Sequence, residues 1–266
     1  MPHIALPKEP AVTLEYQWVG LDLASYPQAP LVVFLHEGLG SVALWKDYPA
    51  KLCAAGGLCG LVYSRSGYGQ STPRSAHERW AMDHLRTQAT QDLPALLKAL
   101  GVDTAVREPW LFGHSDGGSI ALMYAAAFPD AVAGIAVLAP HIVTETITLD
   151  SIRAAKVSYE TTALRAGLAK FHGDVDSAFY GWNDMWLDPA FRVCDCYQDA
   201  ARIICPILAI QGVDDQYGSM AQIDGIKQAA SHTRLLKLAD CGHSPHKDQA
   251  DTVTREVVGF IQGFYA

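Results

Sequence analysis

The fold of this chain is decided by eleven residues, Leu111-Phe112-Gly113-His114-Ser115-Asp116-Gly117-Gly118-Ser119-Ile120-Ala121. They join an apolar segment, 109–112, to an alanine-rich segment, 120–128, which predicts a buried strand followed by a helix. Glycines at 113 and 117 remove the Cβ atoms that would clash where strand and helix converge. A serine on so sharp a turn takes a strained backbone that lifts its hydroxyl clear of the sheet. We therefore predict that Ser115 is a nucleophile and that the backbone amide of Asp116 faces a developing oxyanion.

Composition narrows the class of protein. The chain has 266 residues, 50% of them hydrophobic and 18% charged, which is typical of a globular protein that binds no membrane. Its net charge of -8 argues against a nucleic-acid surface and favours a small-molecule partner. We predict no signal peptide, no membrane span, no cofactor and no metal, and a homo-oligomer is compatible with the sequence. The six cysteines lack Cys-x-x-Cys spacing, so we predict small buried thiols and a cytoplasmic location.

Strands and helices alternate along most of the chain. Apolar segments predict strands at 12–19 (an edge strand), 31–35, 58–63, 131–138, 207–211 and 234–238. An amphipathic helix is predicted from Leu85 to Leu100, and Pro94 inside it predicts a kink or a restart capped by Asp92. Another closes the chain between Val253 and Phe264. This alternation is typical of a doubly wound, mostly parallel sheet in an α/β protein.

The alternation of predicted strands and helices stops between residues 140 and 204. This stretch has no Val/Ile-rich segment, and aromatic residues are frequent in its second half. We predict a helical lid at 140–204, inserted in a core domain formed by 1–139 and 205–266. Most of these aromatics are expected to pack inside the lid, whereas Trp182 or Trp186 is the best candidate to line a substrate pocket.

A second glycine-rich turn, His36-Glu37-Gly38-Leu39-Gly40-Ser41, follows the strand at 31–35. Its spacing also fits a dinucleotide-binding fingerprint, which requires an acid at the end of the next strand. That strand ends at Ser64-Arg65, so the nucleotide interpretation is rejected. We predict instead an oxyanion-hole loop whose amides approach the substrate. A third turn, 64–71, is predicted to be structural and to shape one pocket wall.

Taken together, these motifs make the chain resemble the α/β-hydrolase family over essentially its whole length. The resemblance implies an eight-stranded sheet with the lid after the sixth strand. It also implies that Ser115 is the nucleophile, Asp215 the acid and His243 the base. Asp215 is preferred to Asp214 because the family's acid usually stands three residues after a glycine, here Gly212.

The resemblance extends to the surroundings of the predicted triad. The oxyanion would be held by the amide of Asp116 and by a second amide, from Gly38 or Leu39. His246 is the alternative base, although a surface position beside Pro245 is expected for it. Two further histidines, His36 and His114, are expected to hold loops by hydrogen bonds. The predicted substrate-binding residues are Glu37, His141, Trp182 and Trp186.

Two residues depart from the family pattern, Glu37 after the loop histidine and Asp116 after the nucleophile. Carboxylates beside an oxyanion hole disfavour developing negative charge unless they are neutralised, turned away or used. Our main hypothesis is structural pairing with Arg65, His36 or His114. Contact with a polar substrate is the second hypothesis and a bound metal the third.

The resemblance is strongest to small carboxylesterases, enol-lactone hydrolases and hydrolases of aromatic ring-cleavage products. We predict hydrolysis of a small carboxylic ester or lactone through an acyl-enzyme. The main alternative is a carbon–carbon bond hydrolase of ring-cleavage products, which would use the same triad. An acyltransferase and a non-catalytic ligand-binding member of the fold are further alternatives.

Overall fold

The centre of the molecule is one eight-stranded sheet. The structure, a computed structural model, describes residues 1–8, 11–75, 78–191 and 195–265. The strand order is β1-β2-β4-β3-β5-β6-β7-β8. All neighbours from β4 to β8 run parallel, while β2 is antiparallel to β1 and to β4. The strands are β1 (His3–Leu6), β2 (Val12–Gly20), β3 (Leu31–Leu35), β4 (Cys59–Tyr63), β5 (Trp110–His114), β6 (Gly134–Leu138), β7 (Ile207–Gly212) and β8 (Arg234–Leu238). The predicted eight-stranded, mostly parallel sheet is confirmed.

The prediction that 12–19 forms an edge strand is wrong over residues 12–15, which pair with β1. The first half of β2 pairs with β1 and its second half pairs with β4, so β1 is the edge. The alternating pattern of β2 reports that one face is buried, and it carries no information about whether a further strand pairs alongside. The four residues of β1 are too few to give a pattern of their own.

Helices cover both faces of the sheet, as a doubly wound fold requires. One face is covered by α1 (Tyr48–Gly56) and α11 (Ala250–Gln262). The other is covered by α2 (His84–Thr87), α3 (Leu93–Ala99), α4 (Asp116–Ala127) and α9 (Ala221–Ala229). Residues 116–125 of α4 are all buried, because this helix lies between the sheet and the helices outside it.

Pro94 changes the helix that contains it. A π-helical turn, Gln88–Asp92, separates α2 from α3. Because Pro94 has no N–H to donate, the regular hydrogen-bond ladder cannot continue through this point. The helical conformation nevertheless continues from His84 to Ala99, so the chain does not restart at Asp92, and the irregularity is a π-helical turn. Asp92 makes no capping bond; its carboxylate accepts a hydrogen bond from Lys8.

The described part of residues 140–204 is helical and contains no strand. It holds α5 (Thr146–Thr161), α6 (Leu164–Leu168), α7 (Val175–Leu187) and α8 (Asp195–Ala200). Helix α7 begins at a cap in which Asp174 accepts from the Ser177 amide at 2.8 Å. The rings of Tyr159 and Phe179 stack at 3.7 Å between α5 and α7. We refer to residues 140–204 as the helical segment; its independence as a lid stays a prediction.

Two further observations concern the whole described chain. Four cysteines are buried with free thiols, as predicted: Cys53, Cys59, Cys205 and Cys241. Cys196 is also buried, and Cys194 lies outside the described residues. Within those same residues, no helix is both long and apolar enough to cross a lipid bilayer.

Candidate active site

The turn between β5 and α4 has the strained geometry predicted for it. Ser115 has φ 53° and ψ -119°, a conformation that residues with a side chain rarely adopt. A Cβ on Gly113 would lie 2.3 Å from the Gly117 carbonyl oxygen, and one on Gly117 would lie 2.0 Å from that of Leu35. Both glycines are therefore required sterically. The Ser115 amide donates to the Leu138 carbonyl at 2.8 Å, which fixes the turn against β6.

A chain of hydrogen bonds connects the three residues that the resemblance selected. The Oγ of Ser115 lies 3.0 Å from Nε2 of His243, whose Nδ1 lies 2.8 Å from Oδ1 of Asp215. Asp215 also accepts from the Tyr217 amide at 2.8 Å and from Nε2 of Gln211 at 3.1 Å. Asp215 is buried whereas Asp214 is exposed, so the acid that faces His243 is Asp215.

The charges of this pair suit proton transfer from the serine. Burial lowers the pKa of His243, although the Asp215 carboxylate opposes that effect. Burial alone would raise the pKa of Asp215, but the hydrogen bond and charge of His243 outweigh it and lower that pKa. Near neutral pH the imidazole is therefore uncharged, with its proton on Nδ1 beside the ionised Asp215. Its Nε2 is free to accept a proton from Ser115.

Ser115 opens into a cavity of about 120 Å³. Its walls include every residue predicted for the oxyanion hole and for substrate contact: Asp116, Gly38, Leu39, Glu37, His141, Trp182 and Trp186. Sequence reasoning missed Ile152, Tyr217 and Ser244, which also line it. Tyr217 and Ser244 closely follow Asp215 and His243, so adjacency was an available signal for them, whereas Ile152 in α5 gave none.

Asp116 is buried and paired from two sides. Its Oδ1 accepts from Nε1 of Trp186 at 3.1 Å, and its Oδ2 lies 3.8 Å from the Arg65 guanidinium. Burial raises the pKa of Asp116, and the charge of Arg65 partly offsets this. Arg65 is fully buried and also donates to the Glu37 carbonyl oxygen at 2.9 Å, while its guanidinium lies 4.6 Å from the centroid of the Tyr68 ring. One cation therefore connects the predicted oxyanion loop to the acid next to the nucleophile.

Glu37 is paired with different groups. Its carboxylate oxygens lie 3.5 Å from Nδ1 of His114 and 3.6 Å from Nζ of Lys247. Burial would raise the pKa of Glu37, but the contacts with His114 and Lys247 outweigh it and hold that pKa well below its usual value. The pairings with Arg65 and His114 agree with the structural hypothesis. Among the described residues, no group of three or more His, Cys, Asp or Glu side chains is placed to hold a metal ion.

The histidines expected to hold loops do so. Nε2–H of His114 donates to the backbone oxygen of His243 at 2.7 Å. His36 accepts from the Arg65 amide at 3.0 Å and donates to the Glu37 carbonyl at 2.7 Å. His172, which sequence reasoning missed, joins Leu39 to Gly69 through bonds of 3.0 Å each. The turn at 64–71 is structural, as predicted, but it does not line the cavity itself and acts there through Arg65.

The expectation that His246 is a surface residue is wrong. Its side chain is 2% exposed, because the short helix α10 (Pro245–Asp248) turns it toward the core. The ring packs 4.9 Å from Trp45, 5.3 Å from Tyr48 and 4.7 Å from His114. His246 therefore belongs to an aromatic cluster, while His243 is the histidine bonded to Ser115.

The comparison with known proteins agrees with this fold. The profile of the alpha/beta hydrolase family matches residues 32–256, so the chain belongs to that family. A search of curated protein sequences found no match.

Solved structures share the fold over nearly the full length of both chains. An enol-lactonase from Burkholderia xenovorans LB400 is 21% identical, with a TM-score of 0.73 and coverage of 98% of this chain and 100% of that chain. A structure from work on carboxylesterases of Nitrososphaera gargenis is 20% identical, with a TM-score of 0.77 and 98% coverage of each chain. A meta-cleavage product hydrolase from Pseudomonas fluorescens IP01 is 14% identical, with a TM-score of 0.68 and coverage of 99% and 98%. These likenesses show the shared architecture.

Proposed function

We propose that this protein is a serine hydrolase that cleaves small carboxylic esters or lactones through an acyl-enzyme on Ser115. The observation that carries the proposal is the hydrogen-bonded chain from Ser115 through His243 to Asp215 beside a cavity that Ser115 and His243 line. A carboxylesterase and an enol-lactonase with the same architecture support the reaction class.

The steps follow from the protonation states. Nε2 of His243 takes the Ser115 proton as Oγ attacks the carbonyl carbon, and Asp215 stabilises the resulting imidazolium. The backbone amide of Asp116, together with that of Gly38 or Leu39, holds the oxyanion. His243 then returns the proton to the leaving alcohol, and a water molecule activated by the same imidazole releases the acid. The helical segment acts as the lid that covers this cavity.

The proposal is tested by measuring hydrolysis of short acyl esters, lactones and ring-cleavage dienoates by the protein, with Ser115→Ala as the control. We expect turnover of esters or lactones, and no turnover by the variant above the background rate. Carbon–carbon cleavage of the dienoates without ester hydrolysis would favour the alternative reaction. Substantial ester hydrolysis by the Ser115→Ala protein would show that Ser115 is not the nucleophile.

A further inference from the structure

The cavity next to Ser115 has an unusual balance of charges. Glu37 and Asp116 both contribute to its wall, and no lysine or arginine is among the described residues that line it. His141 also lines it, but burial lowers the pKa of His141 to about 3, so its imidazole stays uncharged. The groups presented to a bound molecule therefore include two carboxyl groups, the uncharged imidazole of His141 and apolar surface.

The nearby cations are not available to a ligand. Arg65 is fully buried, donates to the Glu37 carbonyl and lies 3.8 Å from the Asp116 carboxylate. Lys247 lies 3.6 Å from Glu37, but it is not part of the cavity wall and its side chain is 44% exposed. Arg65 is thus near Asp116 and Lys247 near Glu37, but neither cation lines the cavity. A negatively charged group inside the cavity would thus meet the carboxylates first.

The remaining wall limits size and polarity. Ile152, Trp182 and Trp186 present apolar surface. The cavity volume is about 120 Å³, which suits a small acyl group better than a long or bulky one. Gly38 lies in close contact with the Trp182 indole, since a Cβ added at Gly38 would lie 2.2 Å from Nε1 of Trp182. This contact closes the cavity at that point.

From this arrangement we infer that the site selects small acyl groups that carry no negative charge and discriminates against those that end in a carboxylate. The inference rests on the proposed function, and it names the class of substrate within it. Selection arises because a carboxylate placed here would lose its hydration and gain two like charges at low dielectric without any partner. An uncharged acyl group loses little on entering and packs against the tryptophans.

The test compares two ethyl esters of nearly equal shape, ethyl 4-oxopentanoate, which is neutral, and monoethyl succinate, which is anionic. We expect kcat/KM for the neutral ester to be higher by about tenfold or more. The net charge of -8 also repels anions at long range, so the assay is repeated at about 1 M salt, where the Debye length is about 3 Å. A preference that persists in salt belongs to the cavity.

Substitutions separate the effect of the two cavity acids from the effect of the protein's overall negative charge. Glu37→Gln and Asp116→Asn should each narrow the preference for the neutral ester, whereas Asp214→Asn, which removes an exposed acid outside the cavity wall, should leave it unchanged. Equal or faster cleavage of monoethyl succinate by the unaltered protein would overturn the inference, as would a ratio that neither cavity variant changes. Failure of the proposed function has a different signature, because neither ester would then be hydrolysed above the Ser115→Ala background.

Discussion

The loops at the ends of the strands and the helical segment hold their side chains in different ways. Ser115, Asp215 and His243 lie on turns at the strand ends, which backbone bonds tie to the sheet, such as those from the Ser115 amide to Leu138 and from the Val213 amide to Leu238. The helical segment contributes cavity walls mainly through the packing of side chains on α5 and α7. Backbone bonds fix positions more tightly than apolar packing, which tolerates substitution. We therefore expect the strand ends to determine the rate and the helices to determine the ranking of substrates.

The two regions meet at Asp116 and Gly38. Trp186 donates to the Asp116 carboxylate, and Trp182 packs against Gly38, so one face of α7 contacts both predicted sources of oxyanion donors. Residues four apart on a helix lie on the same side of it. We therefore expect the separation between residues that set the rate and residues that set the ranking of substrates to be weakest at this contact.

The largest effect among the side chains that assist the nucleophile is expected for His243→Ala. Removing the base should lower kcat/KM by about a thousandfold or more, and by a similar factor for every ester, because each needs the same proton transfer. The measurement is kcat/KM across the ester series. A loss confined to some esters would show that the strand ends also set the ranking.

Asp215→Asn should lower kcat by about a hundred- to a thousandfold, since an amide orients His243 but cannot stabilise its positive charge. Asp214→Asn is the matched control, one residue away and exposed, and should change the rate little. Parallel kinetics of the two variants check this. The reverse ranking would move the acid by one residue.

The pH dependence of kcat/KM should also be set by a residue at a strand end, His243. Only the uncharged imidazole accepts the serine proton, and burial lowers the pKa of His243 below 6.5. The rate should therefore remain near its plateau at pH 6.5 and fall by about tenfold per pH unit only below the pKa of His243. A profile of kcat/KM against pH measures this limb. Trp186→Phe, in the helical segment, should leave its midpoint unchanged.

Asp116→Ala tests the contact between the regions. The substitution leaves the Arg65 guanidinium buried without its carboxylate, which typically costs about 3–5 kcal/mol of unfolding free energy. The relative rates of different neutral esters should stay nearly constant. Melting temperature and the neutral ester series are measured on one preparation. A reordered series at unchanged melting temperature would favour substrate contact over structural pairing.

The smallest effect is expected for Trp186→Phe, which keeps an aromatic ring but removes the indole N–H that Asp116 accepts. We expect a loss of about 1–3 kcal/mol in stability, because the buried Asp116 Oδ1 loses its donor, and a change in the ranking of acyl groups of different size. Denaturant unfolding and the ester series check it. A uniform loss of rate with an unchanged ranking would mean that α7 acts on the oxyanion hole more than on the pocket.

The sequence by itself determined the features that depend on neighbouring residues. The turn at Ser115 could be predicted because the clash of strand and helix is local, and Gly113 and Gly117 remove it. The strands β3 to β7 were recognisable as short, largely apolar segments because both of their faces are buried. Asp215 and His243 could be selected only through the resemblance to a family, since neither has a local signal that distinguishes it from Asp214 or His246.

The tertiary structure alone decided which distant groups meet. In the tertiary structure β1 pairs with β2, and His246 packs in the aromatic cluster. Asp92 accepts a hydrogen bond from Lys8, and Asp116 is paired with Arg65 and Trp186. Apart from the pairing of β1 with β2, these contacts join segments far apart in the chain, and their meeting depends on how whole helices and strands pack. Local propensity and periodicity record which face of an element is buried. They do not record which element covers that face, and that choice sets the charge and size of the cavity beside Ser115.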